Sequence, residues 1–429
     1  MVGTSTLIEK IKNGEFDRTF SLLYGEQAVC EQRRRYLQTI QEFTDIYGER
    51  EDLRLFSAPG RTEIGGNHTD HNHGCVLAAS VDLDVIAVVS PTSENSIRIR
   101  SHGYPTDTIE LHDLEINPKE FNRSSSLIRG TAARFSQLGY SIGGFDAYTT
   151  SSVLKGSGLS SSAAFEVLVG TILNGLYNDG TIDAVTIAQI AQFAENKYFG
   201  KPCGLMDQMA SSVGGIITID FADTDKPIIE TVDFDFATCG HRLCIVDVGG
   251  NHADLTHEYA AVPAEMKAVA AELGVAVLRE TSYEKMLLQI PQLRQKLGDR
   301  AVLRAIHFFT DNARVADEVA ALRNGDFETF KTLIIQSGHS SFEYLQNIYA
   351  NAHVTSQGMS LALSMAQRLL DGKGAWRVHG GGFGGTIQAF VPNELINLFT
   401  DTMEAVFGKG SCHSLIIRPR GGIEINEAI

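Results

Sequence analysis

The sequence has no pair of cysteines at CxxC spacing, no run of eighteen apolar residues, no repeat and no low-complexity tract. Six cysteines scattered over 429 residues (Cys30, Cys75, Cys203, Cys239, Cys244 and Cys412) read as reduced packing residues, not as a disulfide or zinc framework. The N-terminus, MVGTSTLIEKIKNGEF, has no uninterrupted apolar stretch of the kind that heads an export signal, so a cytoplasmic protein is expected. Positive charge is also short. With 36 Lys and Arg against 52 Asp and Glu, the formal charge is -16, which argues against nucleic acid or an anionic membrane as partner. A phosphorylated ligand needs only a local pocket and stays open. The hydrophobic share, 43%, is enough for a real core, and the length predicts two domains with a ligand cleft between them.

Tyr36, Ile40 and Phe43 recur at helical spacing and predict a helical lead-in over residues 5–47. From Leu53 the texture turns to strands: RLFSA, VLAASVDLDVIAVVS and SIRIRS. Helices are predicted over 126–138 and 185–198, and strands at GFDAYTTSSV, GIITIDF, IIETVDF and HRLCIVDVG. The chain then reads as mainly helical to Leu370 and closes with WRVH and TIQAFV around a glycine loop. Strands and helices mix without regular alternation, which predicts an α+β fold in two domains, 1–225 and 226–429, parted near the turn FADTDKP.

Three glycine-rich segments carry the chemistry. KGSGLSSSAA runs into an apolar helix, and unpaired N–H groups at a helix N-terminus form a phosphate site when small residues let the anion approach. Lys155, Gly156, Ser157, Gly158, Leu159, Ser160, Ser161, Ser162 and Ala163 are the candidates. No Gly-Lys-Ser/Thr follows at the Walker offset, and a serine capping a structural helix fits as well. GGGFGG, residues 380–385, suggests a close backbone contact or a turn. In APGRTEIGGNHTDHNHG, read as a loop over 58–74, HxDHxH invites a zinc reading completed by His252 and His257, as in a metal-dependent hydrolase. His68 and Asp70 serve equally well as hydrogen-bond partners of sugar hydroxyls.

Together the three segments, with CGLMDQ between the second and third, resemble in sequence and order the motifs of the GHMP kinases, most closely the galactokinase branch, over roughly residues 52–420. The resemblance implies an N-terminal α+β domain, a ferredoxin-like C-terminal α+β domain and an active site between them. It implies ATP- and Mg²⁺-dependent phosphorylation of the anomeric hydroxyl of galactose, with a sugar and ATP as partners; it leaves oligomeric state open. Asp207 would accept or orient the hydroxyl proton and Arg61 would stabilise charge beside it, unless that arginine is spent on a structural ion pair with Glu63 or another carboxylate. Ser162 and Glu195 match the Mg²⁺ ligands, the 155–163 segment the phosphate contacts, and Asn67, His68, Asp70 and Tyr259 the sugar contacts. Gly381 and Gly382 would let the third motif approach the cleft.

Three departures stand out, one being the alanines of EYAAVPAEM where the family has a YNxRR-like run after the tyrosine matched by Tyr259. Asn67 replaces the family's glutamate, removing a negative charge and keeping a related hexose or a uronic acid such as galacturonate open as substrate. His71 replaces a tyrosine, and neither it nor His73 is given a role. A sugar- and ATP-binding regulator without turnover is the remaining alternative, although Arg61, Asp207 and GSGLSSSAA are all present.

Overall fold

The computed structural model describes residues 2–153, 158–249 and 255–427. The strands are β1 (Arg54–Gly65), β2 (Cys75–Pro91), β3 (Ser96–Ser101), β4 (Thr106–Glu110), β5 (Phe145–Ser151), β6 (Ile216–Asp220), β7 (Ile228–Val232), β8 (His241–Asp247), β9 (Ala375–His379), β10 (Thr386–Pro392), β11 (Cys412–Leu415) and β12 (Ile423–Ile425).

The long apolar run of β2 organises the first sheet, whose order is β12-β1-β2-β5-β3-β4, with β6 and β7 added along the Cys75 end of β2. Side chains alternate across a strand. Val85, Ala87 and Val89 pack with Phe56 against the helix Ser161–Tyr177 through Val167 and Leu168. Ile86 and Val88 face the other way, with Leu55, onto Phe20, Tyr36 and Ile40 of the N-terminal helices Asp17–Tyr24 and Val29–Tyr47. A strand covered on both faces loses the apolar/polar alternation of a half-exposed one.

The second sheet, β11-β8-β10-β9, is antiparallel throughout. Its chain order of strand, helices, two strands, helix and strand is the ferredoxin-like pattern, with a large helical insertion between β8 and β9. Val246, Val378 and Ile387 cover the helices Gly358–Leu370 and Ile396–Phe407. Leu243, Ile245 and Phe390 face the opposite side and join the core of the first sheet through Phe330 and Ile334. The α+β expectation holds, and one continuous apolar core fixes the two sheets against each other.

Two details differ from the reading of the sequence. The segment 58–74 is not all loop: β1 continues through Gly65, with register shifts between Pro59 and Arg61 and between Glu63 and Gly65. Such irregularities re-aim side chains and break the alternation that marks a strand. Sheet membership does not divide at residue 225 either. β7 lies beyond that point yet completes the first sheet, 221–227 is the turn of its hairpin with β6, and β12 returns from the C-terminus to pair with β1. Among the described residues no helix is long and apolar enough to cross a membrane.

Candidate active site

Strand β9 brings the second sheet onto β1. Arg377 and His379, two apart and so on one face, both point at it. Arg377 donates to the Ile64 carbonyl at 2.6 Å and to Glu63 Oε1 at 2.9 Å, and His379 Nε2 lies 3.1 Å from Thr62 Oγ1. Gln388 of β10 adds bonds to Thr62 Oγ1 (2.8 Å) and the Glu63 carbonyl (3.0 Å). A Cβ on Gly158 would stand 3.2 Å from His379 Nδ1, so the second motif abuts the same histidine. Three segments far apart in sequence thus meet in one layer of buried polar contacts. Burial lifts the Glu63 carboxyl to about 7, with Arg377 and Asn67 offsetting only part of the cost.

Arg61 follows the first register shift of β1 and is almost wholly buried. Its Nε donates to Asp207 Oδ1 at 2.7 Å, and its other arm reaches the Gly158 carbonyl. It is thus ion-paired, with Asp207 and not with Glu63, and the partner is the acid expected to act beside it. Asp207 lies in the first turn of the helix Met206–Val213, where the backbone dipole favours a carboxylate. It does not cap that helix, because its Oδ2 accepts from Ser160 Oγ at 2.7 Å. Burial would raise its pKa, yet the charge and hydrogen bond of Arg61, with the Ser160 bond, hold it below the ordinary aspartate value. The side chain keeps 30% of its surface open, so an ionised carboxylate faces the cleft.

Ser160 has φ 56° directly before the helix Ser161–Tyr177 and makes no side-chain cap there, which sets the serine-cap reading aside for it. Two residues on, Ser162 Oγ lies 3.3 Å from Glu195 Oε1, and Gln208 Nε2 holds Glu195 Oε2 at 2.8 Å. Two oxygens bound cis to a six-coordinate Mg²⁺ stand about 3.0 Å apart, so this pair, almost at that spacing, fits a hard cation that keeps waters and phosphate oxygens as its other ligands. The same Gln208 nitrogen reaches Glu166 Oε2 at 3.1 Å. Glu166 is fully buried, and burial followed by repulsion from Glu195 drives its pKa well above the usual carboxyl range.

The other phosphate-loop candidates divide. Gly158 and Leu159 present their carbonyls to Arg61, the latter at 3.0 Å from its backbone N, but the Leu159 and Ala163 side chains are buried in the core. Their place in the motif is packing beneath the loop, not side-chain contact with a nucleotide. Ser161 is half-buried at the helix start. Lys155, Gly156, Ser157 and His252 lie outside the described residues.

The sugar candidates converge on the third motif. Its three successive carbonyls are each taken by one of them: Gly380 by Asn67 Nδ2 (2.7 Å), Gly381 by His68 Nε2 (3.0 Å) and Gly382 by the Tyr259 hydroxyl (2.8 Å). The approach is so close that a Cβ on Gly382, which has φ 84°, would lie 2.0 Å from the Asn347 carbonyl. Asn67 requires correction as a sugar ligand. It is fully buried, its amide also bonds Glu63 at 2.8 Å, and its carbonyl oxygen accepts from Asn347 at 2.8 Å. It joins the first motif to the third instead of facing a ligand. Burial, then the charge of His71, lower His68 to about 4, so it is neutral at pH 7 and its Nε2 hydrogen is committed to Gly381. Burial pushes Tyr259 up to about 12. Asp70 is the least committed, with its carboxylate beside Gly204 and 3.8 Å from His71 Nε2.

Among the described residues no three His, Cys, Asp or Glu side chains gather as a metal site, and His257 lies at the surface beside Glu258, so HTDHNH offers zinc no ligand set there.

A family model for the galactokinase galactose-binding signature matches residues 41–91, and one for the GHMP kinases N terminal domain matches residues 126–215. A galactokinase of Streptomyces coelicolor is 30% identical over 369 residues, which are 86% of this chain and 92% of that protein. The chain belongs to the galactokinase family. Its fold is that of Lactococcus lactis galactokinase, crystallised with galactose, at TM-score 0.77 and 23% identity over 91% of this chain and 99% of the other. It is shared more distantly by a Streptococcus pneumoniae phosphomevalonate kinase in complex with phosphomevalonate and AMPPNP (TM-score 0.58, 14% identity, 84% and 99% of the two chains).

Several residues of this galactokinase-family site escaped the sequence. Gln208 stands beside Asp207 in CGLMDQ, and its adjacency was the available signal. Glu166, Arg377 and His379 gave none, since an acid in an apolar helix and polar residues in a short strand read as surface until their partners are known.

Proposed function

We propose that the protein transfers the γ-phosphoryl group of ATP to the anomeric hydroxyl of galactose, giving galactose 1-phosphate and ADP. The observation that carries the chemistry is the Arg61–Asp207 pair, met by the serine-rich segment on one side and by the sugar loop on the other through Asp70 beside Gly204. The anomeric oxygen bonds to the γ-phosphorus, the bond from phosphorus to the β–γ bridging oxygen breaks, and ADP leaves with that electron pair. Asp207 takes the hydroxyl proton. A carboxylate held below its ordinary pKa is a weak base, so its contribution is to orient the hydroxyl and accept the proton as the new bond forms. Arg61, locked by Asp207 and the Gly158 carbonyl, holds that carboxylate ionised and sets positive charge where the phosphoryl group passes.

Ser162 and Glu195 would hold Mg²⁺. The ion would neutralise charge on the transferring phosphates. Asp70 and His68 are the side chains left to read sugar hydroxyls, and Tyr259 shapes the same wall through Gly382. Asn67 gives no support to a galacturonate preference, because its amide is enclosed by protein partners on every side that bonds.

A sugar panel with ATP and Mg²⁺, read by ADP release and by phosphorus NMR of the product, tests the reading. Galactose is expected to give a 1-phosphate. No ADP release at saturating galactose would favour a binding protein without turnover, and phosphate on another oxygen would overturn the placement of Asp207.

A further inference from the structure

Lys201 is a cation that the proposed chemistry does not yet use, and the fold places it with some care. The helix Ala184–Phe193 runs into a wider turn over Ala194–Phe199, which ends at Gly200 with φ 84°. The backbone N–H groups of Gly200 (3.1 Å) and Lys201 (3.2 Å) both donate to the Glu195 carbonyl, so the chain doubles back on Glu195. A side chain other than glycine would be strained at that φ. The fold-back sets Lys201 Nζ 3.3 Å from Glu195 Oε1, the same oxygen that faces Ser162 Oγ at 3.3 Å.

The two partners are unequal. Glu195 is 3% exposed and pinned on its other oxygen by Gln208, whereas the Lys201 side chain is 60% exposed. An ion pair so open adds little to stability and leaves the lysine stem free to move. The ammonium also acts on Asp207, whose carboxylate it helps to keep ionised, so its charge is felt across the cleft. Arg61 is already committed to Asp207 and to the Gly158 carbonyl. Mg²⁺ on Glu195 would repel an ammonium at the same oxygen, and with Asp207 already paired to Arg61 the nucleotide's phosphates are the unpaired negative charge left for it to meet.

We propose that Lys201 is a phosphate-binding residue of this kinase: anchored beside the metal-ligand carboxylate by the Gly200 turn, its ammonium bonds the terminal phosphate oxygens of ATP and shares their neutralisation with Mg²⁺. The proposal rests on the kinase reading above. A compact ammonium on a flexible stem suits the task, since it follows a phosphate as a point charge without demanding a fixed fork geometry.

The test uses the full chain and its Lys201→Met and Lys201→Arg variants. Equilibrium binding of ATP, ADP and AMP is measured by calorimetry without sugar, both with Mg²⁺ and in EDTA. Lys201→Met is expected to weaken ATP by about tenfold or more in both conditions, ADP by less and AMP hardly at all, while Lys201→Arg restores most of the loss. Galactose affinity without nucleotide and the melting temperature should stay near wild type. ATP affinity unchanged in Lys201→Met overturns the proposal, as does equal weakening of ATP and AMP. Weakening confined to the Mg²⁺ series also overturns it, by assigning Lys201 to holding Glu195. If wild type itself fails to bind ATP, the kinase reading fails first and takes this one with it.

Discussion

The two ends of the cleft are built on different principles. At the acid end, charged side chains hold one another: Arg61 pairs with Asp207, Ser160 completes the acid, and Glu195 is flanked by Ser162, Gln208 and Lys201. At the sugar end, side chains hold backbone: Asn67, His68 and Tyr259 each take one carbonyl of the glycine loop. Charge suits the first because phosphoryl transfer needs an ionised acid and fixed cations. Backbone suits the second because a glycine wall held by neutral side chains fixes the shape around the sugar and leaves Asp70 uncommitted to meet its hydroxyls. Mutations should therefore disable chemistry at one end and loosen structure at the other.

The sharpest break is Asp207→Asn, which keeps the shape and removes the charge. Turnover of galactose, followed by ADP release, is expected to fall about a thousandfold, with galactose affinity by calorimetry changed only a few-fold. Near-normal turnover would show that the acid end is not where the reaction occurs. Asn67→Glu should do the opposite kind of harm. It sets a second carboxylate against Glu63 and the Gly380 carbonyl in a fully buried place, at a cost of about 4 kcal/mol in chemical denaturation. A variant of unchanged stability that merely altered sugar preference would restore Asn67 as a direct sugar contact.

Glu63 sharpens the comparison through pH. Its carboxyl is raised from 4.5 to about 7 in the folded protein, which therefore holds the proton where the unfolded chain has lost it. That stabilisation is complete below pH 4.5 and is lost as pH rises through about 7, a change of roughly 3 kcal/mol. Unfolding of Glu63→Gln, measured across this window, should lack that component, so wild type loses stability relative to the variant as pH rises. Parallel curves would mean that Glu63 is already ionised when folded. The smallest effect is expected from Tyr259→Phe, which removes the bond to Gly382, worth about 1 kcal/mol. KM for galactose should rise about fivefold with kcat nearly constant, and a selective loss of kcat would move Tyr259 to the reacting end.

The acid end was the more legible of the two. Asp207, Arg61, Ser162 and Glu195 were legible through their match to the family motifs, since each alone reads as well as a cap, an ion pair or a surface residue, and the structure brings the members of each pair together. The sugar end was misread at Asn67, which occupies the position of the family's glutamate and resembles a sugar contact until Asn347 and Gly380 are seen to enclose it. Likewise Pro-Gly-Arg inside β1 looked like a loop, since register shifts erase alternation. The turn at 221–227 was found, but only the pairing of β7 with β6 shows which sheet it serves.

By itself the chain order of residues determined the strand texture of β2, the α+β class and the glycine-rich segments, because each follows from neighbours a few positions apart, while the kind of chemistry rested on the match of those segments to the family motifs. Tertiary structure alone decided which arginine meets which acid, which glycine carbonyls are occupied and which lysine stands beside Glu195. Those depend on groups more than a hundred residues distant or on a single left-handed turn. Pairing in a buried site is set by which surfaces the core presses together, and no local pattern encodes that.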